Sequence, residues 1–278
     1  MKREAVLDFY IANGVLYDTE EDHIFQSIQS QSIYEVIRVM DKVPLYVEDH
    51  LERMRKSAEL LDYRIHKSDQ EIMGEMAALI EANKFPNMNI KWLCSGFDKE
   101  EQLFLQYFVE SHYPERQVYE NGIHTIFFHS ERENPNAKVM NLDLRKRINE
   151  KMSLEGAFEA ILINQDGYIT EGSRSNIFFV KGDQVYTAPP GEVLLGVTRT
   201  RIMEVCKKLD IKVIEQHIHE TEISQMEGAF MTGTSVNVLP IRSTGDHVYA
   251  SVHHSITERI AQGYEEDMET YRKSCGIC

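Results

Sequence analysis

The apolar residues of this chain change period several times, and those changes constrain the fold more than any other feature. From Val6 to Ile11 the pattern alternates, with Val6, Asp8 and Tyr10 on one side and Leu7, Phe9 and Ile11 on the other. Asn13-Gly14 then supplies two residues that tolerate positive φ in a tight hairpin, and Val15-Leu16-Tyr17 starts the return. Ile33 to Met40 is a second extended run, turning at Asp41-Lys42. From Asp49 the period becomes helical, because Leu51, Met54, Ala58 and Leu61 recur at three and four residues. Ser68-Asp-Gln-Glu71 is a capping box that opens another helix through Met76, Leu79 and Ile80. Strands over 89–95 and 102–109 follow, so this first stretch is expected to be an antiparallel sheet flanked by helices.

The polar stretch around Pro114 and Gly122 marks a boundary. Residues 116–121 are expected to link a small N-terminal domain, 1–115, to a larger C-terminal domain, 122–278. Beyond the linker the pattern predicts strands over 123–129, 159–164, 176–181, 211–215, 228–232 and 236–241. Helices are predicted over 141–155, 198–208 and 254–271. The two kinds of element mix without strict βαβ alternation, which makes the fold class α+β with two lobes.

Composition narrows the function. Hydrophobic residues make up 42% of the 278, enough for a real core and too many for a disordered chain. Thirty basic residues against 45 acidic ones leave a net charge of −15, which repels nucleic acid and anionic membranes. The longest apolar runs, Ala160 to Ile163 and Ile177 to Val180, are strand-sized and far short of a membrane span. Asp8 and Asn13 interrupt what would be the apolar stretch of a secretory signal, so a cytoplasmic location is expected. Cys94 and Cys206 sit in apolar patterns and read as small core residues. Cys275 and Cys278 form a C-x-x-C at the chain end, which reads as a frayed tail rather than a redox or metal motif. His217-x-His219 and His253-His254 lack partners at metal-site spacing, and no metal is expected.

Most catalytic signatures are absent: no phosphate-binding G-x-x-x-x-G-K-[ST], no G-x-G-x-x-G, no G-x-S-x-G and no H-E-x-x-H. What stands out is a set of polar groups punctuating the second lobe. Lys138 ends the turn-like Asn-Pro-Asn-Ala-Lys, and Thr170-Glu171-Gly-Ser-Arg174-Ser-Asn176 precedes an apolar strand. Gly196-Val197-Thr198-Arg199 opens a helix, and Thr232-Gly-Thr234-Ser235 is another small turn. Both Gly-Thr turns have the ingredients of an anion cradle, since glycine admits close backbone N–H groups and threonine adds a hydroxyl. Each alone reads more readily as an ordinary turn.

Taken in order, the pieces resemble the fold-type IV (class IV) pyridoxal-phosphate enzymes, the group of branched-chain aminotransferases, D-amino acid aminotransferases and aminodeoxychorismate lyases. The most specific segment is Asp166-Gly-Tyr-Ile-Thr-Glu-Gly-Ser-Arg-Ser-Asn-Ile-Phe-Phe-Val, followed by Leu195-Gly-Val-Thr-Arg and Phe230-Met-Thr-Gly-Thr. The first lobe agrees through Ile33-Tyr-Glu-Val-Ile-Arg-Val and Asp49-His-Leu-Glu-Arg-Met. The resemblance implies a small N-terminal α/β lobe, a larger C-terminal lobe with a β-barrel-like core, and a homodimer with active sites near the subunit interface.

It also implies roles. Lys138 is the amine that condenses with the aldehyde of pyridoxal 5′-phosphate and later shuttles the α-proton. Glu171 faces the pyridine nitrogen and keeps it protonated. Arg53 pairs with the cofactor phosphate, which Val197, Thr198 and Thr234 also hold, while Asn176 supports the glutamate strand. Tyr34 lines the substrate pocket and Ser235 lies in the turn that receives the substrate carboxylate. Two departures stand out. Lys91 is the cation left in a strand where branched-chain and D-amino acid enzymes carry an arginine, and an amine cannot reproduce a bidentate fork. Arg174 replaces a smaller residue; either it points to solvent or it meets a second acidic group on the substrate. The expected activity is transfer of an amino group between an amino acid, branched-chain or other and L or D, and a 2-oxo acid. The alternatives are pyruvate elimination as in aminodeoxychorismate lyase, and a non-catalytic protein that binds the cofactor or a partner.

Overall fold

The computed structural model describes residues 4–28, 32–97, 101–130, 135–249 and 252–275. Two compact units divide them: the first holds residues 1–112, 137–141 and 271–278, and the second holds 113–136 and 142–270. The first stretch of the first unit ends at residue 112, and the unit also takes in 137–141, which follow it in sequence.

In the first unit β1 (Phe9–Ala12) and β2 (Val15–Asp18) form the expected hairpin, with Ala12 opposite Val15. Asn13 and Gly14 close it at φ 47° and 89°, a conformation that only such residues adopt at little cost. A single helical turn, α1 (His23–Gln26), precedes β3 (Ile33–Met40), which turns through Asp41 and Lys42 into β4 (Val43–Pro44). Helices α2 (Val47–Glu59) and α3 (Asp69–Ala82) follow. Ser68 and Glu71 form the reciprocal capping box that starts α3. With β5 (Asn89–Ser95) and β6 (Leu103–Val109) the strands make a six-stranded sheet in the order β2-β1-β6-β5-β3-β4. Ile33, Ile37, Val39, Ile90 and Trp92 pack with Met54, Ala58, Met76 and Leu79 of the helices in one core, which also takes up Cys94 as expected. Strand β3 alternates strictly, burying Ile33, Glu35, Ile37 and Val39. That parity places one carboxylate on the core face.

The second unit opens with α4 (Arg116–Asn121) where a linker was expected. Glu115 caps a short helix that ends at Gly122 with φ 65°, so Pro114 and Gly122 punctuate a helix rather than a coil. An Arg116–Glu120 pair at 2.7 Å and the packing of Val118 and Tyr119 against the core hold it. Then come β7 (Ile123–His129), α5 (Leu142–Glu155), β8 (Glu159–Ile163), β9 (Tyr168–Gly172) and β10 (Asn176–Lys181). The chain continues through β11 (Gln184–Thr187), α6 (Val197–Lys208), β12 (Lys212–Glu215) and β13 (Ile218–His219). It ends with β14 (Gly228–Gly233), β15 (Asn237–Thr244), β16 (His247–Val248) and α7 (Ser255–Ser274).

These strands form a mixed ten-stranded sheet in the order β12-β11-β10-β14-β15-β7-β8-β9-β13, with β16 on β15. Parallel pairing is confined to β11 with β12, β15 with β7, and β7 with β8. Phe178 and Phe230 stack across β10 and β14 at 5.0 Å, fully buried. Cys206 is buried in α6, and burial pushes its thiol pKa, like that of Cys94, up to about 12. Cys275 is exposed and Cys278 lies outside the described residues.

Candidate active site

Lys138 belongs to the first unit, pinned there at both ends of its peptide. Its N–H donates to Ser57 Oγ of α2 at 3.2 Å, and its C=O accepts the Tyr34 N–H of β3 at 3.2 Å. Val139 bridges to Ile33, and the Met140 N–H donates to the Ser32 carbonyl at 3.1 Å. The five-residue segment thus lies along the start of β3, which β4 pairs only at its other end, and this fixes the lysine backbone as a strand position does. The Lys138 amine stands 4.9 Å from the centre of the Tyr34 ring, and the Lys91 amine 5.1 Å from the same ring. Tyr34 is therefore a face shared by two cations. Lys91 is buried and its charge is met by Glu4, to which the Tyr107 hydroxyl also donates at 3.3 Å.

Arg53 lies on the same face of α2, one turn before Ser57 and one turn after His50. His50 and Arg53 reach Glu35, and Ser57 reaches the Lys138 segment. The Arg53 guanidinium grips Glu35 with two bonds, Nε to Oε1 at 2.8 Å and Nη2 to Oε2 at 2.5 Å. His50 Nδ1 meets Glu35 Oε2 at 2.7 Å. Burial alone would push the Glu35 pKa up, but the charge and hydrogen bonds of Arg53, with help from His50, pull it down to about 2. Burial pushes the His50 pKa down, in spite of Glu35. Glu35 is then a carboxylate and His50 a neutral ring donating through Nδ1.

In the second unit Glu171 ends β9 with only 3% of its surface exposed. Its Oε2 accepts the Leu194 N–H at 3.1 Å, while Asn176 Nδ2 donates to the Leu194 C=O at 2.9 Å. Leu194 is thus held at both its N–H and its C=O by residues of β9 and β10. Two residues on, Gly196 caps α6, whose first turn carries Val197 and Thr198, no acidic residue and no side-chain cap. Such a helix start presents N–H groups to an anion. Gly196 has no room for a side chain, since a Cβ would sit 2.3 Å from Asn176 Oδ1. Thr232, opposite Asn176 on β14, buries a hydroxyl with no partner among the described residues. Thr234 and Ser235 follow in the turn closed by the Val236 N–H to the Gly233 carbonyl at 3.2 Å.

Arg174 is exposed on the turn between β9 and β10. Beneath it lies Glu159, 1% exposed, whose carboxylate collects the Ala160 N–H at 2.8 Å, the Ser173 N–H at 3.2 Å, Ser173 Oγ at 2.5 Å and Ser175 Oγ at 3.0 Å. The turn is therefore built around a buried acid. Of the residues singled out from the sequence, Tyr34, Arg53, Lys91 and Lys138 fall in the first unit, and Glu171, Arg174, Asn176, Val197, Thr198, Thr234 and Ser235 in the second. Sequence reasoning missed Glu35, His50, Ser57, Glu159 and the Leu194 peptide. For Glu35 a signal existed, since a charge at the buried parity of an otherwise apolar strand needs a partner.

Each unit taken by itself offers groups that fit a phosphorylated pyridine aldehyde: the first an amine and a guanidinium, the second a buried carboxylate and an uncapped helix start. The orphaned Thr232 hydroxyl and the side-chain-free cradle at Gly196 leave polar capacity beside that helix start.

The family model for class IV aminotransferases matches residues 32–244, and the chain belongs to that family, whose members are pyridoxal-phosphate enzymes. It is 26% identical to the D-alanine aminotransferase of Bacillus licheniformis over 222 residues, 76% of this chain and 78% of that protein. It is 26% identical to the branched-chain-amino-acid aminotransferase of Escherichia coli K12 over 257 residues, 84% and 82% of the two chains. The fold matches the crystal structure of the T.th. branched-chain amino acid aminotransferase with pyridoxamine 5′-phosphate at a TM-score of 0.85, with 21% identity and 97% of each chain covered. This is the fold-type IV architecture and a branched-chain aminotransferase-like enzyme; the lyase alternative is not favoured by these relatives.

Proposed function

We propose that this enzyme transfers an amino group between an amino acid and a 2-oxo acid using pyridoxal 5′-phosphate bound to Lys138. The observation that carries the reading is the anchoring of the Lys138 peptide by Tyr34 and Ser57, which leaves only the side chain to move. A nucleophilic, proton-shuttling amine needs such a fixed base and a protected setting. When bound, the cofactor supplies an electron sink for the pair left on the substrate α-carbon. Lys138 Nζ takes the proton from that carbon and would deliver it to the carbon that carried the cofactor aldehyde. The Glu171 carboxylate, held by the Leu194 N–H, offers a fixed negative charge to the ring N–H. Arg53, the Val197 and Thr198 N–H groups and Thr234 hold the phosphate, and Asn176 keeps the Leu194 peptide in place. Tyr34, Lys91, Arg174 and Ser235 contact the substrate.

Borohydride reduction of the cofactor-loaded protein should fix the label on Lys138, read by peptide mass spectrometry. An amino acid alone should convert the bound cofactor to pyridoxamine phosphate without releasing pyruvate. A label on another lysine, or a Lys138→Ala variant that still performs this half-reaction, would sink the assignment. Among the described residues no helix is long and apolar enough to cross a membrane. The proposal extends to a cytoplasmic homodimer, for which light scattering should give twice the chain mass.

A further inference from the structure

Among the described residues of the first unit Glu35 is the most buried charge: none of it is exposed, and it lies between Ile33 and Ile37 on the core face of β3. Both oxygens are taken, Oε1 by Arg53 Nε, and Oε2 by Arg53 Nη2 and His50 Nδ1. As a device for stability this is a poor choice, because a buried ion pair can usually be replaced by apolar residues at no loss. What an apolar residue cannot provide is direction. The fork grips one edge of the guanidinium, so the plane of the group is set and its Nη1 corner faces away from Glu35. Arg53 keeps 11% of its side chain exposed, while Glu35 keeps none. On the next turn of α2, Ser57 takes the Lys138 N–H, and the neighbour of Glu35, Tyr34, takes the Lys138 carbonyl. The acid thus stands where the arginine and the lysine segment are both attached.

We propose that Glu35 is a positioning residue: it aims the Arg53 guanidinium at the cofactor phosphate and holds His50 in its Nδ1–H form. The inference rests on the proposed function above, since it presumes that Arg53 meets that phosphate. Two physical roles for Glu35 predict opposite signs. If the acid only diluted the local charge, its neutralisation would tighten phosphate binding, because Arg53 would keep its full field. If it aims the guanidinium, neutralisation weakens binding.

The test is binding to the full-length apo protein, not turnover. Affinities for pyridoxal 5′-phosphate and for pyridoxal, which lacks the phosphate, are measured by absorbance titration, and their ratio isolates the phosphate contact. Glu35→Gln should lower the ratio by roughly 10- to 100-fold, the worth of a charge-assisted hydrogen bond, with pyridoxal affinity held within about threefold. Arg53→Ala should give a similar loss, and the double variant no further one, as residues acting in series do. Should Glu35→Gln fail to fold, Glu35→Asp keeps the charge at a shorter reach and should lower the ratio while leaving pyridoxal binding intact. An unchanged or raised ratio in these variants, or equal losses for both ligands, would overturn the inference while Lys138 labelling stood. A wild-type protein without preference for the phosphorylated form would overturn both readings.

Discussion

Gly196→Ala tests how tightly the start of α6 is built. The backbone of Gly196, at φ −60° and ψ 138°, suits any residue, so the cost is one of contact alone. The new methyl would meet Asn176 Oδ1 at 2.3 Å, Asn176 Cγ at 3.5 Å and Arg199 Cβ at 3.6 Å. Ordinary contact would require Asn176 Oδ1 to retreat by about 1 Å. Asn176 is only 6% exposed and its amide is tied to the Leu194 carbonyl at 2.9 Å, so the retreat breaks that bond or moves the first turn of the helix. Overpacking costs about 1–3 kcal/mol and the lost hydrogen bond about 0.5–1.5, giving a destabilisation of roughly 2–4 kcal/mol. For a chain of this length that is roughly a 5–15 °C fall in Tm. Urea titration of the apo protein measures it, and Gly191→Ala, where nothing lies within 4 Å of the new methyl, is the matched control. Adding Asn176→Ala removes the clash, so the double variant should be more stable than the sum of the two single effects implies. A Gly196→Ala protein within about 0.5 kcal/mol of wild type, or a strictly additive double variant, would refute the argument.

Acid should weaken the fold in two stages. A folded pKa held below the unfolded one gives stability that is present above the unfolded value and lost as pH falls. His50 loses its contribution below about 6.5, and Glu35 between its ordinary 4.5 and about 2. Urea midpoints from pH 8 to 3 should lose the upper stage in His50→Gln and the lower one in Glu35→Gln; unchanged slopes would contradict the assignment. Gly74→Ala, in the open on α3, should raise stability by about 1 kcal/mol, whereas Ser68→Ala should cost about as much by removing the cap. Thermal melts that fail to separate these two variants in opposite directions would show that α3 is not limited by its own local preferences.

Elements with strong local signals were legible in the sequence. The alternation of β3, the turn residues at 13–14 and 41–42, and the capping box of α3 fall where they were expected. The short strands β9, β11, β13 and β16 were not read, because two to five residues carry little periodicity and their pairing is decided by neighbours far along the chain. Tyr168–Gly172 was read for its acid and glycine, and its role as a strand was hidden by them. The same division runs through the site. Lys138, Arg53 and Glu171 were picked out by resemblance, while the groups that hold them were not. Ser57 acts through a hydroxyl 81 residues from its partner, and Leu194 acts through its peptide, which has no sequence signature at all. Thr232 was read only as part of a Gly-Thr turn, and that its hydroxyl is buried without a partner among the described residues carried no sequence signal.

The attachment of residues 137–141 to β3 has a consequence for how this enzyme can be taken apart. A fragment cut at the apparent boundary, such as 122–278, would carry Lys138 away from Tyr34 and Ser57 and leave its peptide groups to water. Neither fragment expressed alone would hold the Lys138 backbone as the whole chain does. Lys138 follows the boundary in sequence and is seated by residues that precede it, so only a chain carrying both stretches holds its backbone in place.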